Sequence, residues 1–256
     1  ALQRDIRIVI IGKTGTGKSS TGNSILGRQE FQCSPGGSVS TWNCLKKETI
    51  RFEKNILVID TPGLQEIQKP SNAVRSEIQN SIQMAYPESR MGQPGPNVIL
   101  LCLKMGRFTA EDETLFKECL VCFGKEMLRF TIVVFTHVDI WESNIEYSGN
   151  IPDQSEYMKS LPLFALEFIG NCRGGNIFFD NRKTDLDMDL QVQSLVEKID
   201  KLIVLNRGEF YTEEILQQVL RRTRLQSYMN YIFGTHFVNS CLAIGNALLF
   251  WRNVRR

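Results

Sequence analysis

Apolar runs of strand length recur along the chain, each followed by turn residues and then by a segment with helical spacing. They predict strands over Ile6–Ile11, Glu48–Phe52, Ile56–Asp60, Val98–Leu103, Thr131–Phe135 and Ile177–Phe179. The run at Glu48–Phe52 carries charge and reads as an edge strand. The runs after it are nearly continuous in apolar residues, the pattern of strands covered by helices on both faces. Helical spacing predicts helices over Ser19–Leu26, Asn72–Met84, Glu111–Phe123, Leu163–Ile169 and Leu190–Leu205, with Thr109 and Asp112 forming a T-x-x-D start signal for the third. Residues 86–97, rich in Pro and Gly, read as a loop. The alternation predicts an α/β fold, a mostly parallel six-stranded sheet wound on both faces by helices.

Past Gly208 the pattern changes, so the chain divides into a domain at 1–207 and a helical extension at 208–256. Thr212–Leu225 intersperses Ile215, Leu216, Val219 and Leu220 with charged residues and predicts an amphipathic helix packed on an apolar surface. Residues 226–251 contain no Asp, Glu, Lys or Arg, and arginines flank them on both sides (Arg221, Arg222, Arg224; Arg252, Arg255, Arg256). With Tyr228 and Tyr231 near one end and Phe250 and Trp251 near the other, this layout suits a membrane anchor. Asn230, His236, Asn239 and Asn246 favour the other reading, a segment packed on protein; the pattern leaves both open.

A formal net charge of +2 over 256 residues lacks the basic bias of a nucleic-acid-binding chain, and no nucleic-acid partner is expected. Seven cysteines, an odd number scattered through apolar surroundings, fit a reducing compartment better than a disulfide framework. Cys119 and Cys122 have C-x-x-C spacing, but they fall at helical positions among Leu115, Phe116 and Phe123 and lack a second pair for zinc. The first residues run from charged Arg4 and Asp5 directly into a strand, so a cytoplasmic location is expected.

Candidate chemistry is concentrated at the ends of the predicted strands. Gly12-Lys13-Thr14-Gly15-Thr16-Gly17-Lys18-Ser19 is a full G-x-x-x-x-G-K-S placed between a strand and a helix. In that context the glycines let successive backbone N–H groups of the Gly12–Ser19 motif face a phosphate, Lys18 reaches the terminal phosphates, and the Ser19 hydroxyl is a ligand for Mg²⁺. Asp60 ends a buried strand and is followed by Thr61-Pro62-Gly63. Asp60 is then the carboxylate of the metal shell, and Gly63 the backbone N–H that senses a γ-phosphate. Thr136-His137-Val138-Asp139 ends the fifth strand, where the Asp139 carboxylate can accept two hydrogen bonds from guanine, a donor pair adenine lacks. Asn181, in Phe178-Phe179-Asp180-Asn181, is placed to approach the base from its other side.

The stretch from Gly12 to Gly27, D-T-P-G, Gly106–Glu113 (G-R-F-T-A-E-D-E), F-G-K-E-M-L-R-F-T-I-V-V-F-T-H-V-D and F-F-D-N-R together resemble the GTPases of the immunity-associated protein family (GIMAP), which are similar to the chloroplast Toc receptors and more distantly to septins. The resemblance spans roughly residues 5–205. It implies a P-loop GTPase domain that binds GTP or GDP with Mg²⁺ and self-associates through its nucleotide face, tail-anchored to an intracellular membrane in some members. It makes Gly12–Ser20 the phosphate loop, Thr136, His137, Asp139 and Asn181 the base-reading residues, and places His137 beside the base or a partner protomer. The first switch departs from the family's Ser-Val-Thr: this chain reads Ser38-Val39-Ser40-Thr41, so the hydroxyl that senses Mg²⁺ and the γ-phosphate belongs to Ser40 or Thr41. Those two, with Lys18, are the residues expected to bear on catalysis, and Ser40 joins Ser19 and Asp60 in the metal set.

Position 64, directly after the third-motif glycine, holds Leu64 where Ras-like enzymes carry a water-orienting glutamine, with Gln65 displaced by one. Slow intrinsic hydrolysis is therefore expected, stimulated by a second protomer or another partner, in a molecular switch or assembly module. A scaffold that binds GTP without turning it over is the alternative; a P-loop small-molecule kinase would leave D-T-P-G and T-H-V-D without a role.

Overall fold

The structure, a computed structural model, describes residues 5–33, 43–64, 71–85 and 95–222. Strands β1 (Asp5–Gly12), β2 (Leu45–Arg51), β3 (Lys54–Asp60), β4 (Val98–Lys104), β5 (Thr131–Thr136) and β6 (Asn176–Phe178) form one sheet in the order β2-β3-β1-β4-β5-β6. All neighbours pair in parallel except β2, which runs antiparallel to β3 at the edge. The two are joined by a tight hairpin in which Arg51 faces Lys54, and Phe52 and Glu53 both take positive φ (51° and 58°). That backbone twist matches the twist of the strands and ends β2 one residue before the predicted Phe52.

Helices α1 (Lys18–Leu26), α2 (Ser71–Met84), α3 (Ala110–Phe123), α4 (Val138–Tyr147), α5 (Gln154–Ser160), α6 (Leu163–Asn171) and α7 (Asp185–Leu205) link the strands, with a 3-10 segment at Lys125–Phe130. The chain is helical again over 213–222. Two apolar layers sandwich the sheet. Along β1, Ile6, Ile8 and Ile10 enter the layer beneath α1 and α7, while Val9 and Ile11 enter the layer beneath α3 and α6. This is the period of two that strand geometry imposes. Each of these fully buried side chains contributes roughly 1.5–3 kcal/mol relative to an exposed position.

The predicted strands and the five predicted helices are all present. Three further elements, the 3-10 segment, α4 and α5, fall where no helical pattern was read. The amphipathic segment after Gly208 packs into the same core: Tyr211 and Leu216 are buried in the layer beneath α3, with Ile215 and Leu220 against it. Tyr211 anchors it, its ring edge-on to Phe123 and Phe130 and its hydroxyl donating to Phe123 O (2.6 Å). Among the described residues no helix is long and apolar enough to cross a membrane; 226–251 lies outside them.

Candidate functional site

The sheet's order reverses at β1, which lies between β3 and β4, and the loops at the carboxyl ends of the strands meet there. Gly12 closes β1 with φ 150°, and a Cβ on it would fall 2.5 Å from Cys102 O of β4, so only glycine lets the chain turn away this close to its neighbour. The loop then folds around one carbonyl. Lys13 O accepts from Thr16 N (3.3 Å), Thr16 Oγ1 (2.8 Å) and Lys18 Nζ (2.9 Å). Gly15 and Gly17 take positive φ (79° and 78°), and Gly17 opens α1 with no side-chain cap and no acidic residue in the first turn. A helix N-terminus left in this state presents backbone N–H groups and a positive dipole end to an anion.

The D-T-P-G segment is fastened beside this loop. Thr61 Oγ1 donates to Ile10 O (2.7 Å), and Leu64 N donates to Gly12 O (3.0 Å). Gly63 lies against the phosphate loop so closely that a Cβ would sit 2.0 Å from Thr14 Oγ1 and 2.7 Å from Thr14 N. The Leu64 side chain is buried in the core rather than turned toward the loop, which removes it from any role in orienting water. Asp60 is fully buried, and its Oδ2 accepts from Ser19 Oγ at 2.6 Å. A hydroxyl and a carboxylate meeting at the mouth of a phosphate loop are the hard oxygen donors that suit Mg²⁺.

The base-reading candidates reach the same loop from β5 and β6. Thr136, fully buried, donates from Oγ1 to Thr16 O (2.8 Å), and its hydroxyl lies 2.9 Å from His137 Nδ1. His137 caps α4 in the left-handed region (φ 59°), so the chain turns sharply and carries Asp139 into the first turn of α4. Burial, then Lys104, hold the His137 imidazole below its usual range against the pull of Asp139, so it is neutral at pH 7. A Cβ on Gly17 would meet Asn181 Nδ2 at 3.3 Å and His137 Cε1 and Thr136 Cβ at 3.5 Å. The three motifs therefore converge on one glycine of the phosphate loop.

Asp139 Oδ2 is buried and makes no hydrogen bond among the described residues; Arg182 Nε stands 3.2 Å away at ion-pair distance without hydrogen-bond geometry. A buried carboxylate oxygen in this state can accept a hydrogen bond from a donor outside the described residues. Asn181 makes its described side-chain bonds to α1. Its Nδ2 donates to Thr21 Oγ1 (3.1 Å) and its Oδ1 accepts from Ser24 Oγ (3.1 Å), so the amide braces α1 from the side of the base site. Ser20 Oγ faces Cys33 Sγ (3.5 Å). Ser40 and Thr41 lie outside the described residues.

One connection was not read from the sequence. Lys13 Nζ pairs with Glu111 Oε2 and Asp112 Oδ1, both at 3.1 Å, tying the phosphate loop to the start of α3. Asp112 does two jobs, since its Oδ2 accepts from Thr109 N (2.8 Å) in the capping box of that helix. The acidic residues of the Gly106–Glu113 segment were the available signal; their partner lies about a hundred positions away. The described cysteines are all free thiols, and burial pushes Cys102, under the loop, up to about 12 and raises Cys119 well above its usual range. Neither is a reactive thiol.

A six-stranded sheet of this order, with a phosphate loop after β1, an acidic strand end at β3 and polar motifs after β5 and β6, defines the P-loop GTPase class of α/β fold. The AIG1 family profile matches residues 6–229, and the chain belongs to that family. Immune-associated nucleotide-binding protein 9 of Arabidopsis thaliana is 31% identical over 215 residues, 83% of this chain and 59% of that protein. GTPase IMAP family member 8 of Homo sapiens is 30% identical over 208 residues, 81% of this chain and 29% of that protein. The chain thus spans less than two thirds of the length of these relatives. Toc33 from Arabidopsis thaliana in complex with Mg²⁺ and GMPPNP shares the fold at TM-score 0.57 and 21% identity, covering 80% of this chain and 87% of that one. Era from Aquifex aeolicus bound to GDP and an aluminium fluoride does so at TM-score 0.54 and 19% identity, over 78% of this chain and 57% of that one.

Proposed function

We propose that this chain is a guanine-nucleotide-binding switch or assembly module, whose GTP state gates self-association and whose own hydrolysis is slow. The observation that carries the reading is the meeting at Gly17 of the phosphate loop with Thr136, His137 and Asn181, beside an Asp139 carboxylate oxygen that is buried without a hydrogen bond. The nucleotide phosphates lie on the N–H groups of Gly12 to Ser20, with Lys18 on the terminal oxygens. Gly63, which has no side chain to obstruct it, brings its backbone to the γ-phosphate. Asp139 accepts from guanine N1–H and the exocyclic amine. Ser19 and Asp60 hold Mg²⁺, which when bound neutralises phosphate charge.

Slow hydrolysis rests on Leu64, whose apolar side chain is sealed in the core at the position next to Gly63. Self-association through the nucleotide face would supply what the single chain lacks. Toc33, of the same fold, has been crystallised as a dimerization-deficient mutant, and dimerization of Toc33 and Toc159 is described as important for their GTPase activity. Attachment to an intracellular membrane through 226–251 rests on the charge-free stretch and its flanking arginines, and Ser40 or Thr41 supplies the first-switch hydroxyl.

The test is a titration of fluorescent GTP, GDP and ATP analogues with Mg²⁺, with particle size followed in the same samples and single-turnover hydrolysis measured across protein concentrations. Tight guanine binding, larger particles with GTP and hydrolysis that rises with protein concentration are expected. Equal ATP and GTP binding would overturn the guanine assignment. Guanine binding with neither size change nor turnover would leave a binding-only scaffold, a reading that the sealed Leu64 also favours.

A further inference from the structure

At the opposite end of the sheet, Arg129 before β5, Arg173 before β6 and Arg207 after α7 line an open cavity of about 480 Å³ with Leu205, Asn206 and Glu209. Strand β5, six residues and about 20 Å long, runs from beside it to Thr136. That exceeds a Debye length of about 8 Å, so charges exposed at the two ends are largely screened from each other by solvent.

The cavity has an ordered floor. Asn206, 1% exposed, donates from Nδ2 to Arg129 O (2.7 Å) and accepts on Oδ1 from Arg173 Nη1 (2.8 Å), which fixes two arginine positions against each other. Arg173 Nη1 also reaches Leu205 O (3.4 Å), and Arg129 Nη2 pairs with Glu209. Each guanidinium has five N–H donors, and these contacts leave most of them without a partner among the described residues. Arg207 is held in the left-handed region (φ 57°), where a side chain is disfavoured, and that turn projects it at the end of α7. Among the described residues neither Arg173 nor Arg207 has a carboxylate partner. Three guanidiniums against one carboxylate leave the lining two positive charges in excess.

We propose that this cavity is a second anion site, distinct from the phosphate loop, that takes a phosphate monoester on a small polar body. Guanidinium forks match phosphate oxygens bidentately, and the volume lies in the range of small-molecule sites. The same chemistry is offered by a soluble organic phosphate and by the headgroup of an anionic lipid.

The experiment uses the full chain saturated with GDP and Mg²⁺, so that the phosphate loop is occupied. Calorimetric titration with inositol trisphosphate is run beside flotation with phosphatidylcholine vesicles made with and without phosphatidic acid. Arg207→Gln removes a charge that makes no ion pair among the described residues, Arg173→Gln removes the one set by Asn206, and Lys159→Gln, on exposed α5, controls for net charge. Binding weakened about ten-fold or more by Arg207→Gln and Arg173→Gln but not by Lys159→Gln, at unchanged GDP affinity, is the expected result. If it appears with inositol trisphosphate alone, the source is a soluble phosphate; with phosphatidic acid vesicles alone, a lipid; with both, a headgroup read in either setting. No binding of either probe by the unmodified chain, or equal losses in all three variants, would overturn the proposal.

Discussion

The N-termini of α1 and α3 lie at the same end of the sheet and are bridged by Lys13, yet they are finished in opposite ways. At α3, Thr109 and Asp112 form a reciprocal capping box, and Glu111, Asp112 and Glu113 place negative charge at the positive end of the helix dipole. At α1 the cap is Gly17, no side chain caps the first turn, and no acid lies in it. Helix α4 follows the second pattern: the His137 side chain makes no capping bond to the helix, and the one acid of its first turn, Asp139, keeps an oxygen buried without a hydrogen bond among the described residues. A helix whose ends the chain completes itself is a scaffold element. One left incomplete at a converging set of loops is waiting for a ligand, and its missing stabilisation is supplied on binding.

The contrast can be broken at several points. Removing the acceptor at α4 by Asp139→Ala has the largest expected effect: two charge-assisted hydrogen bonds of about 1.5–3 kcal/mol each are lost from guanine binding, a fall of about 150-fold or more in GDP affinity by titration. The same substitution changes the thermal midpoint little, because Asp139 Oδ2 makes no hydrogen bond among the described residues and its ion-pair partner Arg182 is exposed. At α1, Lys18→Ala removes one charged donor and lowers affinity for GTP about ten- to hundred-fold in the same assay. At the completed helix the outcome reverses. Asp112→Ala costs about 1 kcal/mol of stability in denaturant unfolding through the lost cap, while GDP affinity changes about three-fold or less.

The smallest effect is one of pH. Burial lowers the pKa of His137 in the folded state below the unfolded value of 6.5, so the native chain binds fewer protons than the unfolded one between those two values. Stability is therefore fully present above pH 6.5 and is lost as pH falls through that window. A lower thermal midpoint at about pH 5.5 than at about pH 7.5 is expected, and His137→Asn, which tolerates the left-handed turn, flattens the difference.

The sheet and the phosphate loop were legible in the sequence because their signals are local: continuous apolar runs mark buried strands, and the glycine spacing of Gly12–Ser19 has one physical use after a strand. Helix α4 was not legible. It buries only Val138, and its cap is a histidine in the left-handed region rather than a Ser, Thr or Asp. Helix α5 is short and buries only Tyr157, too little apolar surface to set a period. The candidate site residues are picked out by their motifs, but their pairings are tertiary. Nothing near Asn181 in the chain indicates that its amide is spent on Thr21 and Ser24, and nothing near Lys13 points to Asp112.

The central claim is that Asp139 selects the base, and a swap of hydrogen-bond sense tests it most directly. Asp139→Asn places an amide donor where the carboxylate accepted, and xanthine carries a carbonyl at C2 where guanine carries an amine. Measuring GDP and XDP affinities for the unmodified and substituted chains should show a guanine preference turned into a xanthine preference. Unchanged GDP binding by Asp139→Asn, with no gain for XDP, would place base recognition elsewhere and contradict the account.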